Sequence, residues 1–176
     1  GGIVSESPFI TEAGTFPSLA AEKTAAGHLD IFFVGAWRTY GVRWRAEGVW
    51  EEIFDGDNNP LTFGVFATTG GDRLLLADVD DDGENETVVI NTSDRKLNVW
   101  KRSGAALASG KDTTAFVYST SAVLASADMD GDGVGDIIAE KEVYNGYGDL
   151  IASLNTAGPM RTSPVAADLD MDGRYE

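Results

Sequence analysis

Residues 74–90 read LLLADVDDDGENETVVI, an apolar run, a nine-residue acidic loop and a second apolar run. The loop has the form Asp78-x-Asp80-x-Asp82-Gly83-x-x-Glu86. Carboxylates at positions 1, 3 and 5 converge on one point when the backbone curls. The glycine at position 6 permits the sharp turn, and the acid at position 9 closes the shell. Such an array of hard oxygen donors suits calcium, which takes about six to eight of them. Left bare, two carboxylates about 4 Å apart repel by roughly 4 kcal/mol at an effective dielectric of about 20, which disfavours a purely structural acidic turn. An EF-hand would need Glu at position 12, where Val89 stands. The loop runs instead into Thr87-Val88-Val89-Ile90, short and β-branched, so a strand is expected and the whole reads as a calcium loop in a β-hairpin.

The motif recurs. Asp128-x-Asp130-x-Asp132-Gly133-x-x-Asp136 and Asp168-x-Asp170-x-Asp172-Gly173-x-x-Glu176 keep the spacing, and an alanine precedes each copy (Ala77, Ala127, Ala167). A degenerate copy lies upstream. Aligning Gly27 with Gly83 places Ala21 on Ala77, Glu22 on Asp78 and Asp30 on Glu86, but puts Thr24 and Ala26 where Asp80 and Asp82 stand. Having lost two carboxylates, this copy is expected to hold calcium poorly. His28, the one histidine, falls inside it and reads as a turn residue.

A second signal follows each loop. Residues 99–109, VWKRSGAALAS, align without a gap on residues 143–153, VYNGYGDLIAS, and Trp44 and Gly48 repeat the aromatic-to-glycine spacing. Trp44 lies 22 residues after Glu22, as Trp100 lies 22 after Asp78. Each unit therefore reads strand, acidic loop, strand, turn, aromatic strand, glycine turn, strand. Loop starts at 22, 78, 128 and 168 give periods of 56, 50 and 40, the range of propellers and related repeat arrays. No long segment shows helical periodicity with caps. The predicted fold class is all-β, a β-propeller-like array of about four four-stranded blades with calcium-binding β-hairpin loops. The expected organisation is a single repeat domain over 1–176. Its units are 15–60 (degenerate), 61–112, 113–156 and 157–176, with 1–10 as candidate continuation of the last. A chain that opens at Gly1 and stops at Glu176, the last position of a loop, is expected to be a processed product or a piece of something longer.

Composition bounds the partners. With 176 residues, 43% of them hydrophobic, the chain can build one well-cored domain and is no disordered acidic tail. Its net charge of -16 is local: the three intact loops hold 14 of the 29 acids and one, Arg174, of the 13 basic residues. The acidity is thus a supply of ligands, and with no basic stripe to meet phosphates, nucleic acid is not expected as a partner. The absence of cysteine removes disulfides and thiolate metal sites. No run approaches the ~18 apolar residues of a membrane span, so no membrane insertion is expected. Extracellular calcium modules bind at about 0.1 to 1 mM, which points to an extracellular or cell-surface location.

The cluster Trp37, Arg38, Tyr40, Arg43, Trp44, Arg45 and Trp50 reads first as blade packing with one solvated face, and second as a sugar- or carboxylate-binding patch. Two glycosylation sequons occur. Asn85-Glu86-Thr87 lies within an acidic loop, and Asn91-Thr92-Ser93 reads as a surface turn.

The repeated Ala-Asp-x-Asp-x-Asp-Gly-x-x-[Asp/Glu] followed by an apolar strand resembles the FG-GAP/VCBS family, the calcium-loop repeats of integrin α-subunit propellers and many bacterial surface proteins. The resemblance implies about three calcium ions. Their ligands would be Asp78, Asp80, Asp82 and Glu86; Asp128, Asp130, Asp132 and Asp136; and Asp168, Asp170, Asp172 and Glu176. At position 7, Glu84, Val134 and Arg174 would each offer a backbone carbonyl. Three functions follow as expectations. The first is an extracellular module for adhesion or for binding a protein or glycan, with calcium structural. The alternative is a subunit of a cell-surface filament, in which Gly1-Gly2-Ile3-Val4-Ser5 completes a blade of its own chain or of another copy by strand addition. The third is a fragment of a calcium-dependent polysaccharide lyase. No nucleophile with a base stands out and the carboxylates are committed to metal, so the chain is not expected to be an enzyme.

Overall fold

The computed structural model describes residues 18–34, 39–44, 50–53, 57, 62–63, 73–91, 95–113 and 124–154. These residues form three antiparallel sheets and no helix. The first sheet runs β1 (Leu19–Lys23), β2 (Leu29–Val34), β3 (Thr39–Trp44) and β4 (Trp50–Glu52), with β5 (Thr62–Phe63) also pairing with β3. The second is β6 (Arg73–Ala77), β7 (Glu86–Asn91), β8 (Lys96–Trp100) and β9 (Ala106–Asp112). The third is β10 (Leu124–Ala127), β11 (Asp136–Ala139), β12 (Glu142–Tyr144) and β13 (Leu150–Ser153). The second and third sheets have four strands in chain order. The first differs from the expected four by the addition of β5. The loop at 168–176 and the segment 1–5 lie outside the described residues. Among the described residues no helix is long and apolar enough to cross a membrane.

The second sheet lies between the other two, and the alternation of side chains along its strands explains why. Leu75, Ala77, Val88, Ile90, Leu97 and Val99 face a cluster completed by Ile137, Ala139 and Tyr144 of the third sheet. Leu74, Leu76, Val89 and Trp100 face the opposite way, onto Phe32 and Ile53 of the first. Every residue of β7 is buried. A strand covered on both faces needs apolar side chains at successive positions, which accounts for the unbroken run Val88-Val89-Ile90. The first strand of the second sheet lies between those of the other two, β6 touching both β1 and β10.

The gapless match between 99–109 and 143–153 is a match of conformation. Lys101 N–H donates to Ala105 O at 2.8 Å and Gly104 N–H to Lys101 O at 2.9 Å. Asn145 N–H donates to Asp149 O at 3.0 Å and Gly148 N–H to Asn145 O at 2.9 Å. Glycine at Gly146 has a different cause, since a Cβ there would lie 2.1 Å from Val79 O. The turns of the third sheet press directly on the backbone of the first acidic loop.

One expectation fails here. Asn91 closes β7 opposite Lys96 and is 1% exposed, so the second sequon does not present its amide on a surface turn. The central strand runs one residue further than the composition of the sequon suggests.

Candidate metal centres

The two described acidic loops are framed identically. Strand pairing ends at Ala77 opposite Glu86 in the second sheet and at Ala127 opposite Asp136 in the third. Eight residues therefore leave the ladder in each, and their own carboxylates hold them. In the first loop Gly83 N–H donates to Asp78 Oδ2 at 3.0 Å, Glu84 N–H to Asp82 Oδ1 at 2.9 Å, and Val79 N–H to Glu86 Oε2 at 2.9 Å. In the second, Gly133 N–H donates to Asp128 Oδ2 at 2.9 Å, Val134 N–H to Asp132 Oδ1 at 2.8 Å, and Met129 N–H to Asp136 Oδ2 at 2.8 Å. The position-6 glycines sit at φ +83° and +92°, left-handed backbone that a side chain would strain.

The curl gathers three acids in each loop. Asp78, Asp80 and Glu86 bring carboxylate oxygens within 4.8 Å of one another, and so do Asp128, Asp130 and Asp136. Asp82 and Asp132 stay out of these trios and cap the backbone instead. Glu84 is exposed and Val134 half-buried. The site expected at Asp168, Asp170, Asp172, Arg174 and Glu176 lies outside the described residues.

The first trio carries an electrostatic deficit. Asp78 Oδ1, Asp80 Oδ1 and Glu86 Oε1 are all buried without a hydrogen-bond partner, one oxygen from each member. Glu86 is 1% exposed. Burial, assisted by the charges of Asp80 and Asp82, pushes its carboxyl up to about 7 against the Val79 N–H bond. Asp136 is likewise raised by burial, with Asp130, Asp132 and Asp128 adding to it. Three acids whose carboxylates converge, each with one buried oxygen that lacks a donor, fit a hard divalent cation, which would supply the missing charge and ligate all three. Calcium at this site would be held by Asp78, Asp80 and Glu86, with Asp128, Asp130 and Asp136 as the counterpart set.

Sequence reasoning missed the cations that surround these acids. Lys101 Nζ pairs with Asp80 and, at 2.6 Å, with Asp82. The signal was legible in principle: Thr87 pairs with Trp100, so Lys101 extends the ladder opposite Glu86. At the degenerate hairpin the cations are arginines. Arg43 lies directly opposite Asp30 and bonds it through two nitrogens at 2.7 and 2.9 Å. Arg102, from the second sheet, joins Asp30 to Glu22. Asp30 is 0% exposed. Asn85, at position 8 of the first acidic loop, also donates to Glu22.

The degenerate copy also zips further than aligned. Glu22 pairs with Asp30 and Lys23 with Leu29, leaving only five residues outside the ladder. Gly27 N–H bonds Thr24 O at 2.8 Å, and His28 N–H bonds Thr24 Oγ1 at 3.1 Å. With no carboxylates at positions 3 and 5 to curl around, the strands extend to the turn. Within the aromatic and arginine cluster, Trp37, Arg38 and Arg45 lie outside the described residues, and Arg43 is committed to Asp30.

No family model matches this sequence, and no curated protein does. Among solved structures the chain is similar to the crystal structure of the V. cholerae biofilm matrix protein Bap1, with a TM-score of 0.56 and 21% identity. The match covers 89% of this chain and 26% of that one, so the chain spans about a quarter of its neighbour's length. At that identity the likeness speaks to the fold.

Proposed function

We propose that this chain is a calcium-bound, β-propeller-like segment of the FG-GAP/VCBS type, belonging to an extracellular or surface-associated adhesive protein. The observation that carries the reading is the convergent trio Asp78, Asp80 and Glu86, each with an orphaned buried oxygen; the convergence alone is repeated by Asp128, Asp130 and Asp136. The propeller reading draws on three meandering sheets whose first strands lie in a row, β6 between β1 and β10. The adhesive setting draws on the structural likeness to a protein named for the biofilm matrix. In this reading the ions staple loops at the ends of the sheets, and the surfaces between the loops bind a protein or glycan.

One such surface is a cleft of about 470 Å³ between the degenerate hairpin and the first acidic loop, lined by Glu22, Arg43, Glu84, Asn85 and Arg102 among others. Its mixed charge suits a polar ligand such as a glycan. The filament reading rests on segments outside the described residues, and no catalytic constellation among the described residues motivates the lyase reading. The test is capture of matrix polysaccharides and surface proteins by the immobilised chain with calcium and with chelator. Calcium-dependent capture that is weakened by Asn85→Ala supports the reading. Equal, negligible capture in both conditions contradicts the adhesive part.

A further inference from the structure

The three described hairpins differ in the residue that stands across from their position-9 acid. Arg43 pairs in register with Asp30. One step past the last registered pairs, Lys101 stands across from Glu86 and Asn145 across from Asp136. Lys101 and Asn145 occupy the same place in the same hydrogen-bonded turn, yet their side chains do different things. Lys101 reaches into its own sheet's loop and bonds Asp80 and Asp82. Asn145 folds back on its turn, accepting from Tyr147 N–H at 3.1 Å and Asp149 N–H at 3.0 Å.

We infer that Lys101 is a tethered competitor for the divalent cation at the first loop, which gives the two described loops unequal affinities. The inference rests on the calcium reading above and adds its regulation. Asp80 belongs to the trio that would ligate the ion, and the ammonium already satisfies one of its oxygens. A cation on the free Asp80 Oδ1 shares that carboxylate with the ammonium on its other oxygen, so the repulsion between the two positive charges, or the loss of the lysine bond that relieves it, is subtracted from the affinity of the loop. The second loop has no such charge beside it, because its counterpart is an uncharged amide turned elsewhere. The first loop then fills only after the second, and the chain responds to calcium over a broader range than two equal sites would.

The Glu86 oxygen left without a partner is the second observation that a cation belongs in this loop, since Lys101 does not reach it. Nor does the lysine replace the ion as the arginines do at the degenerate hairpin. There Asp30 receives both Arg43 and Arg102.

The test is a calcium titration of the full chain followed by amide resonances of Gly83 and Gly133, one reporter in each loop. Gly133 is expected to reach its midpoint at lower calcium than Gly83. Lys101→Asn should lower the Gly83 midpoint by about tenfold, the scale of a few charge-assisted contacts, and leave Gly133 unmoved. Asn145→Lys should raise the Gly133 midpoint. Lys101→Met repeats the first test without a new polar group, and retained resonance dispersion reports folding. If both glycines titrate and neither lysine variant moves Gly83, the competitor is refuted while the calcium reading stands. If neither glycine responds to calcium in any variant, the calcium reading fails and takes this inference with it.

Discussion

The β1–β2 hairpin and the β6–β7 hairpin share a left-handed turn glycine, Gly27 at φ +84° and Gly83 at φ +83°, and an acid at position 9. They differ in where the compensating charge comes from. Asp30 meets it in two arginines fixed by the fold, one opposite it in the ladder and one from the next sheet. Glu86 meets none directly and keeps an oxygen unpaired in the interior. In the proposed reading, a buried carboxylate in this architecture is answered either by a covalently attached cation or by one drawn from solution. The choice follows from positions 3 and 5: with carboxylates the loop stays open around a centre, and without them the strands close over it.

The comparison breaks most visibly if the arginine is removed. Arg102→Ala leaves Glu22 and the fully buried Asp30 short of a partner, and breaking a buried pair typically costs about 3 kcal/mol or more. Urea denaturation should show that loss, and added calcium should not restore it, because the zipped hairpin has no open centre.

Glu86→Gln acts in the opposite sense. Its amide can donate to the orphaned oxygens of Asp78 or Asp80, so the calcium-free protein should gain stability. At a calcium concentration 100 times the dissociation constant, the variant should forgo about 2.7 kcal/mol that the native first loop receives. Parallel denaturation curves with and without calcium measure both effects.

The pH dependence is smaller and has a definite sign. Glu86 titrates at about 7 in the folded chain and has an ordinary value of 4.5. Between those values the folded state holds more protons than the unfolded one, so stability falls as pH rises. Calcium-free melting temperature should decline across that window, and Glu86→Gln should flatten the decline. Bound calcium should also flatten it, since the metal competes with the proton.

The smallest effect is expected from restoring the missing ligands. Thr24→Asp with Ala26→Asp rebuilds the motif in a hairpin whose acids are already taken, so stability should change by about 0.5 kcal/mol or less. No additional calcium should bind by calorimetry. An extra equivalent would show that ligand spacing alone, and not the built-in arginines, decides occupancy.

Much of this was legible in residue spacing. Asp-x-Asp-x-Asp-Gly predicts curled loops whose carboxylates converge, and the β-branched run Thr87-Val88-Val89-Ile90 predicts a strand; that this strand is covered on both faces is visible only in the packing. The aromatic-to-glycine match announced two identical turns. What escaped was long-range. Arg102 reaches Asp30 across 72 residues, and no local pattern links them. The division of labour within a loop also escaped, because Asp80 and Asp82 look equivalent in sequence. Only the curl shows that the first joins the trio while the second caps Glu84 N–H. Asn91 was misread because the strand that buries it depends on sheets packed on both sides.

Whether calcium holds these loops is decided by thermal melting of the native chain in about 1 mM calcium and then in excess chelator. Calcium is expected to raise the melting temperature by about 5 to 10 °C, the equivalent of one loop saturated well above its dissociation constant. An identical melting temperature in the two conditions would contradict calcium binding at these loops.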